Sequence, residues 1–183
     1  MTSLERTRAV LQGRLPDRVP VALHNFLMAA RLAGQRLPVG LQDGDLLAEA
    51  QLAAWEAFGH DALLVESGTT AMAEAFGCVV TYPEQAAPRV LVPAVPDLRD
   101  VDRLRAPDPG SAPSLARVLR AVERLRYELG DHVFVMGRAD QAPMALAACL
   151  RGYQTFLTDL VEPDSAPALD HLLDLCLEAT TRY

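Results

Sequence analysis

Eight polar residues stand just past the ends of three apolar runs, and their types are those of acid–base chemistry and anion binding. His24 and Asn25 follow the run that ends at Leu23. Glu66, Ser67 and Thr69 follow Ala62 to Val65, and Arg138, Asp140 and Gln141 follow His132 to Met136. An imidazole exchanges protons near neutral pH, and a carboxylate beside it orients the ring or takes the proton. His24, Glu66 and Asp140 are therefore the candidate catalytic residues. A guanidinium grips a carboxylate with two parallel bonds, while amides and hydroxyls hold polar substrate groups. Asn25, Ser67, Thr69, Arg138 and Gln141 are the candidate substrate-binding residues. Each has a structural alternative. His24 closes a hydrogen bond at a strand end, Glu66 caps the next turn, Arg138 pairs with Asp140, and Ser67 and Thr69 cap a helix.

Other chemistries lack their residues. Cys78, Cys149 and Cys176 fit no zinc spacing, and no metal ligand is assigned. The SGTT at 67–70 is not a phosphate-binding loop, and no strand leads into a GxGxxG. His60 and His132 precede their apolar runs, and His171 lies on the last helix, so none shares the strand-end position of His24.

The eight residues meet only if the three runs are neighbouring parallel strands, because the site of such folds lies beyond the carboxyl ends of the strands. The pattern supports this. Strands are expected at Val19 to Leu23, Ala62 to Val65 and His132 to Met136. Ahead of the first, a short helix capped by Thr2 or Ser3 packs through Leu4, Val10 and Leu11, and Gly13 ends it. Asn25 caps a stretch from Phe26 to Leu32. Asp43 or Asp45 starts a helix with Leu46, Leu47, Ala50, Ala54 and Trp55 at helical spacing, closed by Gly59. Ser67 to Thr70 starts a further helix, through Met72 to Phe76. Cys78 to Tyr82 and Val90 to Val92 form a small hairpin. The proline-rich segment from Pro93 to Pro113 runs over the surface. A helix from Ser114 to Leu129 carries one apolar stripe, and others cover Pro143 to Leu150, Tyr153 to Leu160 and Ala166 to Arg182.

Strand and helix alternate, which makes this an α/β chain of parallel βαβ units. Three core strands are few for such a domain, and the last helix runs to Tyr183 with no Gly, Pro or loop after it. The expectation is one incomplete domain over 1–183, truncated from a longer protein. Its 183 residues carry 24 acidic and 17 basic side chains and a net charge of −7. Nucleic acid is not the expected partner, because phosphate binding needs clustered cations. No apolar stretch reaches the roughly 20 residues of a membrane span, and three unpaired thiols point to a reducing, cytoplasmic setting.

Four segments, in order, resemble the uroporphyrinogen decarboxylase superfamily. They are LERTRAVLQGRLPDRVPV, HDALLVESGTTAMAEAFGCVV, RLRAPDP with its following helix, and VFVMGRADQAPMALAACLRGYQTFLTDL. The resemblance runs from Leu4 to Tyr183 and implies the N-terminal portion of a (β/α)₈ TIM barrel, a fold of roughly 250 residues or more. Two chemistries belong to it. One branch decarboxylates the acetate side chains of a porphyrinogen without a cofactor. The other moves methyl groups between corrinoid proteins and thiols, using a zinc-activated thiolate. The decarboxylase branch carries an arginine just after strand one, where Asn25 and its neighbours stand. It carries an aspartate after strand two, where Gly68 stands, and a tyrosine where Cys149 stands. The chain thus departs from the decarboxylase substrate-binding motifs, and ESGTTAMAEAFGC and GRADQAPMALAACLRG resemble the methyltransferase branch more closely.

The expected function is accordingly that of a superfamily enzyme, porphyrinogen decarboxylase-like by family. The alternative is a corrinoid-dependent, zinc-using methyltransferase, whose zinc ligands would lie beyond residue 183. No cofactor is then implied within this chain, and zinc and a corrinoid only in that alternative. The implied partners are a small-molecule substrate (porphyrinogen or methyl-corrinoid) and a corrinoid protein. A third reading is a non-catalytic fragment whose exposed third-strand edge pairs in a homodimer or with a second half.

Overall fold

A computed structural model describes residues 1–139 and 142–183. Asp140 and Gln141 lie outside the described residues. The chain forms two compact units. The first comprises Met1–Ser67, Pro83–Ala86 and Arg117–Arg138, the second Gly68–Tyr82, Ala87–Ala116 and Ala139–Tyr183.

The first unit holds a parallel sheet of β1 (Ala22–Leu23), β2 (Ala62–Val65) and β5 (Phe134–Gly137), in the order β1-β2-β5. Ala22 and Leu23 lie opposite Ala62 and Leu63, and Ala62 to Val65 lie opposite Phe134 to Gly137. The central strand is therefore paired on both edges, and Leu63 and Val65 are fully buried, which suits its unbroken apolar run. Among the described residues no strand pairs with the outer edge of β1 or of β5.

β1 is shorter than the expected Val19 to Leu23. Pro20 has no N–H to give, and the Val21 N–H donates to the Asp61 carboxylate at 2.8 Å instead of to a strand partner. Val19 stays 79% exposed. β5 starts two residues later than expected, because the His132 N–H turns back to the Leu129 carbonyl and the His132 carbonyl accepts from the Leu4 N–H.

Helix α1 (Ser3–Leu11) opens with a capping box. Thr2 accepts from the Glu5 N–H, and the Glu5 carboxylate accepts from the Thr2 N–H. It packs through Leu4, Arg6 and Ala9; Val10 and Leu11, expected inside, are exposed. Arg6 faces inward because two aspartates receive it. Its guanidinium donates to Asp17 and, at 2.6 Å, to Asp61. Asp61 also accepts from Ser3 and twice from Arg18, so one buried carboxylate clasps the chain start to the N-terminal end of β2. Burial alone would push the Asp61 carboxyl up, but the Val21 N–H, Arg18, Ser3 and Arg6 outweigh it and bring it down to about 2.

α2 (Phe26–Leu32), α3 (Leu37–Gly40) and α4 (Gly44–Phe58) join β1 to β2. Asp43 caps α4 by accepting from the Asp45 and Leu46 N–H groups, and Gly59 closes it at φ 59°. Gly44 is needed at the crossing with α6 (Pro113–Leu129): a Cβ there would lie 2.5 Å from the Arg117 carbonyl oxygen.

The second unit contains α5 (Ala71–Ala75), an antiparallel hairpin of β3 (Val79–Thr81) and β4 (Arg89–Val92), and the helices α7 (Pro143–Arg151), α8 (Tyr153–Asp159) and α9 (Ala166–Arg182). Its core gathers Met72, Phe76, Leu115, Leu150, Leu172 and their neighbours. The helix expected from Ser67 begins only at Ala71, with no side-chain cap from Thr70. The proline-rich segment does not stay on the surface, since Val95 and Val101 are buried in this core. Arg151 straps it down, donating to the Val95 and Pro96 carbonyls and to Asp159. Cys78, Cys149 and Cys176 are buried and form no disulfide among the described residues. Burial pushes the Cys78 thiol up to about 11 and that of Cys176 to about 12. Among the described residues no helix is long and apolar enough to cross a membrane.

Candidate functional site

Parallel register decides which strand-end residues meet. Val65 lies opposite Gly137, so Glu66 and Arg138 each stand one residue past a paired position. The Arg138 N–H continues the ladder to the Val65 carbonyl at 3.2 Å. On the other side β1 delivers His24 one residue past Leu23. These three side chains converge within the first unit. Arg138 Nη1 donates to Glu66 Oε2 at 2.5 Å, and His24 Nε2 contacts Glu66 Oε1.

The Glu66 side chain is 2% exposed, against 29% for Arg138 and 59% for His24. A buried carboxylate thus forms the floor, with the guanidinium and the imidazole above it at the sheet's carboxyl end. The contact between His24 Nε2 and a carboxylate oxygen calls for a proton on Nε2. Arg138 Nη1, 3.3 Å from that nitrogen, then brings a second donor to it, so the Arg138 bond goes to Glu66. His24 also stacks on Phe26, with ring centroids 6.1 Å apart. The ring is held from two sides, and Nδ1 is the nitrogen that Glu66 leaves open.

Two more predicted residues flank this cluster. Asn25 and Ser67 are buried, and neither the Asn25 amide nor the Ser67 hydroxyl has a partner among the described residues. Asn25 occupies the N-cap position of α2 but makes no capping bond, so its structural alternative does not hold. Buried polar atoms are nearly always paired with protein, water or ligand. A polar group arriving at this face has donors and acceptors waiting.

Of the eight residues chosen by sequence position, His24, Asn25, Glu66, Ser67 and Arg138 therefore lie at one end of one sheet. Thr69 belongs to the second unit, and Asp140 and Gln141 lie outside the described residues. The expected alternative for Arg138 was Asp140; its observed partner is Glu66. Phe26, two residues past His24, escaped the sequence reading, although an aromatic ring at that spacing was its signal. Gly68, next to Ser67, adopts φ 100°, a backbone that glycine takes readily and residues with a Cβ only rarely.

An imidazole set on a carboxylate that a guanidinium balances is an arrangement suited to proton exchange. Among the described residues no three His, Cys, Asp or Glu side chains form a metal-binding group, so they do not of themselves make a zinc site.

A parallel α/β sheet with its acid, guanidinium and imidazole beyond the strand ends is the layout of a barrel-mouth active site. Residues 2–183 match the family model Uroporphyrinogen decarboxylase (URO-D), and the chain belongs to that family. It is 27% identical to the Methylcobamide:CoM methyltransferase MtbA of Methanosarcina mazei, over 100% of this chain and 53% of that protein. It also superposes on the solved structure of a methyltransferase from Methanosarcina mazei with a TM-score of 0.85 and 24% identity, covering 98% of this chain and 53% of that one. The chain spans about half the length of these relatives. Its fold is the corresponding part of a (β/α)₈ barrel.

Proposed function

We propose that this URO-D family chain serves methyl transfer from a methylated corrinoid to a thiol, and not porphyrinogen decarboxylation. One observation carries the choice: the positive charge of Arg138 is already committed to Glu66. A substrate bearing several carboxylates needs several uncommitted cations, and this cluster offers none beyond a protonated His24. The residues that depart from the decarboxylase pattern point the same way. Asn25 stands in place of an arginine, and the φ of 100° at Gly68 favours glycine over the carboxylate expected there.

In this reading Glu66 and Phe26 hold the His24 ring, Arg138 balances the Glu66 charge, and the incoming thiol gives its proton to the open nitrogen of that ring. The sulfur bonds to the methyl carbon while the carbon–cobalt bond breaks, both of its electrons staying with the corrinoid substrate. The Asn25 amide and the Ser67 hydroxyl hold polar groups of the substrate. A corrinoid-carrying protein is the partner, and three buried thiols without a disulfide support a cytoplasmic setting.

The test gives the purified protein methylcobalamin with 2-mercaptoethanol, and in a parallel reaction a porphyrinogen. Thiol-dependent loss of methylcobalamin absorbance is expected, falling about 100-fold in His24→Asn as a general acid–base group is removed. Release of carbon dioxide from the porphyrinogen, with methylcobalamin untouched, would overturn the reading.

A further inference from the structure

Charge is spread unevenly along the chain. Residues 153–181 hold six acidic side chains and no arginine or lysine, so six of the seven net negative charges fall in this one stretch. It covers α8, the turn after it and most of α9. Asp159 is held by Arg151. Glu162, Asp164, Asp170 and Asp174 are exposed and make no side-chain hydrogen bond or ion pair with another described residue. Apolar surface lies among them. A groove of about 380 Å³ is lined by Leu160, Val161, Pro163, Leu173, Glu162 and Asp170. Val161 is 77% exposed, and Leu157 on α8 is 63% exposed. Single exposed apolar residues are ordinary, but an apolar groove rimmed by unpaired charge of one sign marks a contact surface.

The complement stands at the start of the same chain, in the first unit. Leu11 is 71% exposed, Leu15 95% and Val19 79%. The cations beside them are Arg8 and Arg14, which with Gln12 line one surface hollow. The Arg8 guanidinium has no partner among the described residues, and Arg14 donates to the neutral Gln12 amide. Arg6 and Arg18, by contrast, are taken by Asp17 and Asp61.

We infer that two copies of this chain associate head to tail, the Leu11–Val19 segment of one copy resting in the α8–α9 groove of the next. Leu11 and Leu15 cover Leu160 and Val161, while Arg8 and Arg14 meet Glu162 and Asp170. Outside residues 153–181 the chain is within one charge of neutral, so the attraction for a cationic edge concentrates on this groove. The two surfaces are different patches, which makes the contact heterologous, and each end of such a pair keeps one surface open. The contact uses neither free edge of the sheet, and it stands or falls apart from the chemistry assigned to His24.

Sedimentation velocity of the whole chain over a rising series of concentrations is the test. Association is expected, with a dissociation constant that rises about tenfold between roughly 0.01 and 1 M salt, as the screening length falls from about 30 Å to about 3 Å. Arg8→Glu with Arg14→Glu disables one surface, and Glu162→Arg with Asp170→Arg disables the other. All four positions are exposed. Each double variant alone should associate about tenfold or more weakly than the unaltered chain. An equimolar mixture of the two should restore a dimer, because each carries the intact surface that the other lacks; that restoration also shows both variants to be folded. Leu15→Ser should weaken association several-fold with the circular dichroism melt unchanged. An unaltered chain that stays monomeric up to about millimolar concentration overturns the inference. So does association that is indifferent to salt, that survives either double variant or Leu15→Ser, or that mixing fails to restore.

Discussion

The Glu66–Arg138 pair should be asymmetric, and the asymmetry can be worked out from exposure. Glu66 is 2% exposed and Arg138 is 29% exposed. Glu66→Gln removes the buried charge and leaves Arg138 and His24 to turn toward water, so its cost is that of lost hydrogen bonds, about 1–2 kcal/mol. Arg138→Gln does the opposite. It strands a carboxylate where water cannot reach it, and removing one partner of a buried pair costs about 3–5 kcal/mol. The partial exposure of Arg138 places the expected value near the bottom of that range, at roughly 3 kcal/mol. The double variant removes the stranded charge and should recover about 1 kcal/mol or more of the single-variant loss. Urea unfolding followed by the fluorescence of Trp55, the one tryptophan and a residue of the same unit, measures all three. If Glu66→Gln proves as destabilising as Arg138→Gln, or if the double variant is the worst of the set, the buried-acid account of this site is wrong.

Asp61, buried among Ser3, Arg6, Arg18 and the Val21 N–H, is held below its ordinary value of 3.8, at about 2. Its stabilisation is therefore complete above 3.8 and is lost as the pH falls toward about 2. Asp61→Asn should cost about 3 kcal/mol near neutral pH and flatten the acid limb of the unfolding curve, and an unchanged limb would contradict the assignment. Gly44→Ala should destabilise by about 1–2 kcal/mol despite the better helix propensity of alanine, because overpacking outweighs it; calorimetric melting decides the sign. Arg151→Lys keeps the charge but loses the fork to Asp159 and the Val95 and Pro96 carbonyls. The Val95 amide, bonded to Leu150, should then exchange its hydrogen several-fold faster, as local opening becomes easier.

Much of the fold was legible because periodicity and strand ends are local properties. Ala62 to Val65 is a continuous apolar run bounded by polar residues, and it is β2 without adjustment. Ala166 to Arg182 carries a helical stripe and is α9 over the same span. Errors arose where a distant group outbid the local pattern. The Val19–Val21 segment has strand-forming residues, but Asp61, forty residues on from Val21, takes the Val21 N–H. Arg6 reads as a surface residue of α1 until Asp17 and Asp61 draw it inward, which turns Val10 and Leu11 out. The Pro93–Pro113 segment looks peripheral by composition, yet Val95 and Val101 lie at a core whose other members come from five helices, α5 to α9, and the turn after α5.

Five of the eight candidate residues gather at one end of the sheet, but their pairings were not legible in the sequence, and the difference has a physical source. A strand end can be recognised from neighbouring residues, so His24, Glu66 and Arg138 were identifiable one at a time. Which of them touch depends on strand order. β2 lies between β1 and β5, and that order alone makes Glu66 the shared partner of an imidazole and a guanidinium that are 114 residues apart. Without it Arg138 is a free cation, suited to a substrate carboxylate. With it Arg138 is the counter-ion of a buried acid, and the net charge offered to a substrate falls toward zero. The same residues thus support opposite substrate classes according to one fact of topology. The preference for a methyl-transfer substrate over a polycarboxylate rests on that pairing more than on any residue type.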